Sequence, residues 1–316
     1  MPKDQILELL VSQVWQVTIL SVVVGWLTKT VLKNHPSWSY QLWLLVMVKS
    51  ITPPIWASHC GVFSWLFQRL SSVTTMALQT SFGAVVSSDT IAYGLLGVWF
   101  VGCAVSLGIT CAKWSRIQRR ITAVTIAASD AMDETLERLA CELGISRRVQ
   151  FVLTSEPVGP AVIGVWKPMI VMPADLVEGK SIEEVEPILA HELLHVKRGD
   201  TWVALLETLV RSVWWFHPQI QRSADAMSQA GELCCDQDVL TTLTYSPRRY
   251  ADSLVQVIEA QCRLQPLLGQ PGIRREQVTR KRLERIMTWD QTKPRVSVRV
   301  FVLILAVLIV LPGRPV

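Results

Sequence analysis

The chain has 316 residues, of which 50% are hydrophobic and only 18% charged, and its mean hydropathy is +0.33. A soluble domain carries about 25% charged residues, so the deficit points to segments from which charge is excluded, that is, to membrane spans, and it rules out disorder, collagen and coiled coil. A net charge of +5 is small and clustered, which fits basic residues gathered on cytoplasmic loops and argues against direct nucleic-acid binding. Seven cysteines without framework spacing argue against a disulfide scaffold and against a zinc finger.

In chain order, Leu9 to Leu27 is a stretch of 19 residues without a charge, which as a helix reaches about 28 Å, close to the hydrocarbon thickness. Asp4 and Glu8 beside Lys3 make it a poor cleaved leader, so it is expected to be the first span. A second is expected at about 38–56, interrupted by Lys49 and the pair Pro53-Pro54. The third, Ile91 to Ala112, has 22 uncharged residues with Gly94, Gly97, Gly102 and Gly108 as flat packing surfaces. A fourth is expected at 296–316, including the apolar run Val300 to Leu311 and a short tail. Lys and Arg follow spans one and three and precede span four, whereas the loop from Ala57 to Thr90 has only Arg69 besides His59. The expectation is therefore a multi-pass protein of a bacterial-type cell membrane, with its N-terminus outside and 113–295 forming a cytoplasmic domain.

That domain is expected to be α+β, mostly helical with a small antiparallel sheet. Met132, Leu136, Leu139 and Leu143 share one helical face that ends at Gly144. Short apolar runs at Val149 to Thr154, Ala161 to Val165 and Met169 to Met172, divided by Gly and Pro, are the expected strands. Ser181 and Glu184 form a capping-box pattern, but Pro187 would clash with the carbonyl four residues back, so this helix should kink or begin nearer Pro187. Thr201 to Phe216, with Glu207 and Arg211 at i,i+4, is expected to be a packed helix rather than a fifth span. Pro218 should open a helix to about Leu243, and Arg248 to Thr288 should be helical with a break near Gly269 to Gly272.

The helix ending at Gly199 carries His191-Glu192-Leu193-Leu194-His195. Two imidazoles at i,i+4 lie one turn apart on one face and can reach a single zinc at about 2.0–2.1 Å. Glu192, one position round, is placed to take a proton from the attacking water. A catalytic zinc needs a third protein ligand. Glu232 is the candidate, with Asp236 at i,i+4 as the acceptor that fixes a ligand histidine's tautomer; Cys234 or Cys235 is the rival ligand. An extended substrate would add as a strand to the edge at Ala161, Val162 and Ile163. His217 could assist the oxyanion, although a structural role before Pro218 is the preferred reading.

These residues resemble the BlaR/MecR-type membrane metallopeptidases, the zinc peptidase parts of beta-lactam sensor-transducers. The resemblance covers nearly the whole chain and rests on Gly159-Pro-Ala-Val-Ile-Gly164, Lys167-Pro-Met-Ile170, the run His191 to Asp200, Trp215-Phe-His-Pro218, and Glu232 to Asp236. It implies one Zn2+ held by His191, His195 and Glu232, with Glu192 as base. The implied substrate is a protein or peptide, either the chain itself or a cytosolic repressor, cut after an outside signal in contact with membrane lipid. Two departures stand out. No Ser-x-x-Lys occurs and the chain ends at Val316, so antibiotic sensing is unsupported and a separate sensor protein becomes a candidate partner. Gly231 also replaces the bulky or charged residue expected before the third ligand. The alternatives are a catalytically silent membrane signal relay and an integral-membrane quality-control or prenyl-protein-type zinc protease.

Overall fold

The computed structural model describes residues 3–52, 88–126, 129–156, 158–243, 245–264 and 272–288. Span four, the end of span two and most of the loop between spans two and three lie outside the described residues. Two compact units divide the chain: 1–110 with 206–230 and 293–316, and 111–205 with 231–292.

In the first unit α1 (Lys3–Thr30) packs on α2 (Pro36–Ile51). Val17, Leu20, Val24 and Leu27, spaced three and four apart, are buried on α1, as are Leu42, Val46 and Met47 on α2. Gln13 ties the helices together by donating to the backbone oxygen of Lys49 at 2.5 Å and of Thr52 at 3.1 Å. α3 (Ser88–Ala123) includes Tyr93–Thr122, which, with an 18-residue stretch of mean hydropathy 2.0, is among the described residues the one helix long and apolar enough to cross a membrane. α2 accounts for 16 residues up to Ile51, and the expected second span continues beyond residue 52 outside the described residues. Of the four glycines expected to pack, Gly102 does so: a Cβ there would lie 2.2 Å from the Trp215 ring, whereas nothing lies within 4 Å at Gly94, Gly97 or Gly108.

The second unit holds a four-stranded sheet between helices. Its strands are β1 (Thr125–Ile126), β2 (Gln150–Thr154), β3 (Ala161–Ile163) and β4 (Met169–Pro173), in the order β1-β2-β4-β3. The sheet is mixed, which corrects the antiparallel expectation: β2 pairs with β4 in parallel, while β1 with β2 and β3 with β4 are antiparallel. The reason is the connection 155–160, which carries β3 one strand position outward, so that the hairpin back to β4 fills the gap beside β2. Gly164 makes that hairpin possible at φ +85°, because a Cβ there would sit 2.3 Å from the Lys167 carbonyl oxygen. β3 is consequently an edge strand.

α4 (Asp130–Glu142) begins after Ser129 and ends before Gly144, whose φ is +70°. Its Met132, Leu136 and Leu139 enter a core with Ile170 and Met172 of β4 and with Val185, Ile188, Leu189 and Leu193 of α5 (Ile182–Arg198). Full burial of each such side chain contributes about 1.5–3 kcal/mol. The last part of α7 (Pro218–Thr242), α8 (Pro247–Leu264) and α9 (Gly272–Met287) add residues to this core, and the start of α6 (Asp200–Val213) belongs to the same unit.

α5 starts at Ile182, ahead of Pro187, and contains the proline. The Ser181 N–H donates to Glu184 Oε2 at 2.9 Å, closing the cap. The missing proline N–H leaves the Glu183 carbonyl without its helical donor, and Arg249 Nη2 of α8 donates to that oxygen at 2.6 Å. Ser253 Oγ donates to the next carbonyl, that of Glu184, at 3.2 Å. A neighbouring helix thus supplies what the proline removes, and α5 need not begin later.

Candidate metal centre

α5 turns the apolar sides of its last two turns into the core and brings His191 and His195 to one face. Their rings are nearly perpendicular, with centroids 4.8 Å apart and Nε2 atoms 3.2 Å apart. α7 runs unbroken through Gly231, against the doubt that glycine raised, and presents Glu232 to the same point. Glu232 Oε2 lies 3.5 Å from His191 Nε2, and Oε1 lies 3.6 Å from His195 Nε2. One donor atom from each of the three residues falls within 4.8 Å of the others, a grouping that could hold a metal ion.

The proton positions favour such an ion. Asp200 Oδ2 stands 2.5 Å from His195 Nδ1; a carboxylate only accepts, so a ring proton sits on Nδ1 and Nε2 is the nitrogen turned to the metal position. Arg198 holds Asp200 in place through both carboxylate oxygens, with Nε donating to Oδ1 at 2.7 Å. Behind His191 the acceptor is the Tyr250 hydroxyl, 2.8 Å from Nδ1. That hydroxyl spends its single proton on Asp236 Oδ1 at 2.6 Å, so it can only accept from the ring, and His191 Nε2 faces His195 Nε2 and Glu232, with Arg282 Nη2 3.4 Å away. Two such imidazoles and a carboxylate are the donor set of a three-ligand site with a position left open, so the residues present fit a catalytic metal.

Asp236 lies one step further out than a direct acceptor of the ring N–H: its Oδ1 is 3.5 Å from His191 Nδ1, and Tyr250 stands between them. Arg282 of α9 contacts both carboxylates of α7, Asp236 at 2.8 and 2.7 Å and Glu232 at 2.9 Å. Burial opposes the charge on Glu232, but its bond to His191 and the charges of Arg282, His195 and His191 hold its carboxyl well below the usual range. Glu192 is buried between the histidines in sequence, and that burial pushes its carboxyl up against the opposing charges of His195 and His191.

Cys235 approaches His195 from the other side, with Sγ 3.5 Å from Nδ1. With Asp200 it makes a second grouping of potential ligands, but Nδ1 is already committed to Asp200. Cys234 joins neither grouping. β3, with Ala161, Val162 and Ile163, packs beside α5. His217 belongs to the other unit, where its Nδ1 accepts from the Ile220 N–H at 3.3 Å and its Nε2 lies 3.0 Å from Thr18 Oγ1, the structural role preferred for it. Sequence reasoning did not single out Asp200, Tyr250 or Arg282. Asp200 had a local signal, five residues past His195 on the far side of a glycine stop; the other two had none.

A buried and a half-buried histidine one helical turn apart, a carboxylate from a second helix facing them and a second, buried carboxylate between them in sequence form the kind of grouping that metallopeptidases use, and the sequence comparison agrees. The chain belongs to the BlaR1 peptidase family M56, whose profile matches residues 9–286. It is 26% identical over 237 residues to the methicillin resistance mecR1 protein of Staphylococcus aureus, covering 69% of this chain and 40% of that protein. It is 29% identical over 162 residues to the regulatory protein BlaR1 of Bacillus licheniformis, covering 50% of this chain and 26% of that protein. A protease HtpX homolog of Herminiimonas arsenicoxydans is 30% identical over 150 residues, 43% of this chain and 51% of that protein. The chain thus spans 40% or less of the length of the mecR1 and BlaR1 proteins.

Proposed function

We propose that the chain is a membrane-anchored zinc metalloendopeptidase that hydrolyses peptide bonds of itself or of a cytosolic regulator in signal transduction. The observation that carries this reading is the convergence of His191 Nε2, His195 Nε2 and the Glu232 carboxylate beside buried Glu192. His191, His195 and Glu232 would hold one Zn2+, which when bound supplies Lewis acidity to water and to the scissile carbonyl. Glu192 takes the proton of the attacking water and delivers it to the leaving amine; a carboxyl raised by burial is suited to both halves of that transfer. Asp200 and Tyr250 keep the Nδ1 protons in place while this happens. Asp236 holds Tyr250. The free edge of β3 at Ala161, Val162 and Ile163 offers backbone groups to an extended peptide, and its packing beside α5 supports that role.

The proposed topology has four spans, an outside N-terminus and the peptidase domain in the cytoplasm, supported by the apolar helix Tyr93–Thr122 and by the basic residues Lys113, Arg116, Arg119 and Arg120 that follow span three. The relative named a regulatory protein, BlaR1, supports a role in signalling, and in that reading a protein repressor is the substrate and a separate sensor the partner. The protease HtpX homolog supports a second reading, an integral-membrane protease outside such a pathway.

The test is to purify the chain in detergent, count zinc, and compare cleavage of itself and of co-purifying repressor-like proteins with Glu192→Gln. One zinc in both proteins and a loss of cutting of about 10²–10⁴-fold in the variant is the expected result. Zinc in both with no cutting by either favours a silent relay; equal cutting removes Glu192 from the mechanism. Cleavage of general unfolded substrates without selectivity favours the second reading.

A further inference from the structure

We propose that Arg282 is a positioning residue of the metal centre, whose guanidinium fork clamps Glu232 and Asp236 together and so makes α9 part of the zinc site. This rests on the zinc reading above and adds a residue to it. The Arg282 side chain is 14% exposed and meets Glu232 Oε2 through Nη1 at 2.9 Å. Its other edge grips Asp236, Nε to Oδ2 at 2.8 Å and Nη2 to Oδ1 at 2.7 Å. Asp236 Oδ1 in turn accepts from Tyr250, which faces His191 Nδ1. One planar group therefore fixes the third ligand directly and the first ligand through Asp236 and Tyr250.

The geometry requires a fork. Glu232 and Asp236 are one turn apart on α7, and a guanidinium with five donors in a plane can engage both at once. An ammonium is a point charge on a flexible stem and cannot reproduce the paired grip on Asp236 while reaching Glu232. The half-buried Glu232 and buried Asp236 carboxylates, one turn apart without a shared cation, would repel, and Glu232 would turn away from the histidines. Arg282 Nη2 also lies 3.4 Å from His191 Nε2, so its charge faces the metal position and opposes an incoming cation. The two effects have opposite signs in zinc affinity, which makes the outcome decisive.

The experiment measures zinc affinity by chelator competition on the full chain in detergent, with circular dichroism as the fold control. If the fork positions the ligands, Arg282→Met and Arg282→Lys both weaken zinc binding by about 10–100-fold with the helical signal unchanged. Unchanged or tighter binding in Arg282→Met overturns the proposal, and full retention in Arg282→Lys shows that charge alone suffices and overturns the fork. Should the variants fail to fold, hydrogen exchange of the wild-type protein decides: zinc should slow exchange across residues 279–287, and no change counts against the proposal. Absence of zinc from the wild type sinks the metallopeptidase reading and this inference with it, whereas zinc in the wild type with an indifferent Arg282 sinks the inference alone.

Discussion

The two imidazoles of the centre are backed in different ways. Behind His195 stands an ionised carboxylate, Asp200, five residues along the chain and oriented by Arg198. Behind His191 stands a neutral hydroxyl, Tyr250, 59 residues away, with Asp236 and Arg282 beyond it. Both arrangements place an acceptor at Nδ1 and turn Nε2 to the metal position. They differ in how much negative charge reaches the ring, and so in how strongly each partner raises the basicity of its ligand. A carboxylate in contact should do more than one relayed through a phenol.

The variant common to both sides has the largest effect: Glu192→Gln should abolish measurable peptide cleavage while zinc stays bound, since neither imidazole loses its acceptor. Asp200→Asn comes next. The amide keeps one acceptor oxygen where two donors, His195 and Arg198, need satisfying, so zinc affinity should fall toward the upper end of about 10–100-fold. Tyr250→Phe removes the hydroxyl and keeps the ring, so its expected loss is nearer the lower end of that range. Chelator competition on the three proteins ranks them. A Tyr250→Phe loss equal to or larger than that of Asp200→Asn would break the comparison, because contact charge would then not be what separates the two sides.

The same contrast describes what the sequence discloses. α4, α5, α7 and α8 are legible because their periodicity, caps and prolines act within a few residues. His191, Glu192, His195 and the Glu232 and Asp236 pair are legible for a related reason, since i,i+4 spacing on a helix is itself a geometry. The four-residue offset cannot say that a tyrosine would stand between Asp236 and His191, because Tyr250 arrives from α8 only when the core closes. Arg282 arrives from further still. The mixed sheet was illegible for a similar reason: strand order depends on where the connection 155–160 deposits β3, and the apolar runs are the same in either arrangement. β1, at two residues, is too short to carry a pattern.

The smallest effect on the centre is expected at the other end of α5, and it separates folding from metal binding. Arg249 sits next to Tyr250 on α8 but donates to the Glu183 carbonyl that Pro187 leaves open, and it pairs with Glu186 at 3.3 Å. Arg249→Met strands that carbonyl, at a cost of about 1–3 kcal/mol reduced by its access to water. The variant also removes one of the charges that keep Glu186 ionised. Burial would raise the Glu186 carboxyl, but its hydrogen bonds to Arg138 and Tyr245, with the charges of Arg138 and Arg249, bring it below its ordinary value. A depressed carboxyl stabilises the fold above its unfolded pKa, about 4.3, and loses that contribution as pH falls through the lower folded value. Arg249→Met should therefore lower the thermal midpoint at neutral pH and flatten its decline below about pH 4. Zinc affinity should not move, because Tyr250 keeps its place in the α8 core with Ala251 and Leu254. A matching drop in zinc affinity would mean that α8 shifts as a rigid unit, and that the support behind His191 depends on the repair at Pro187.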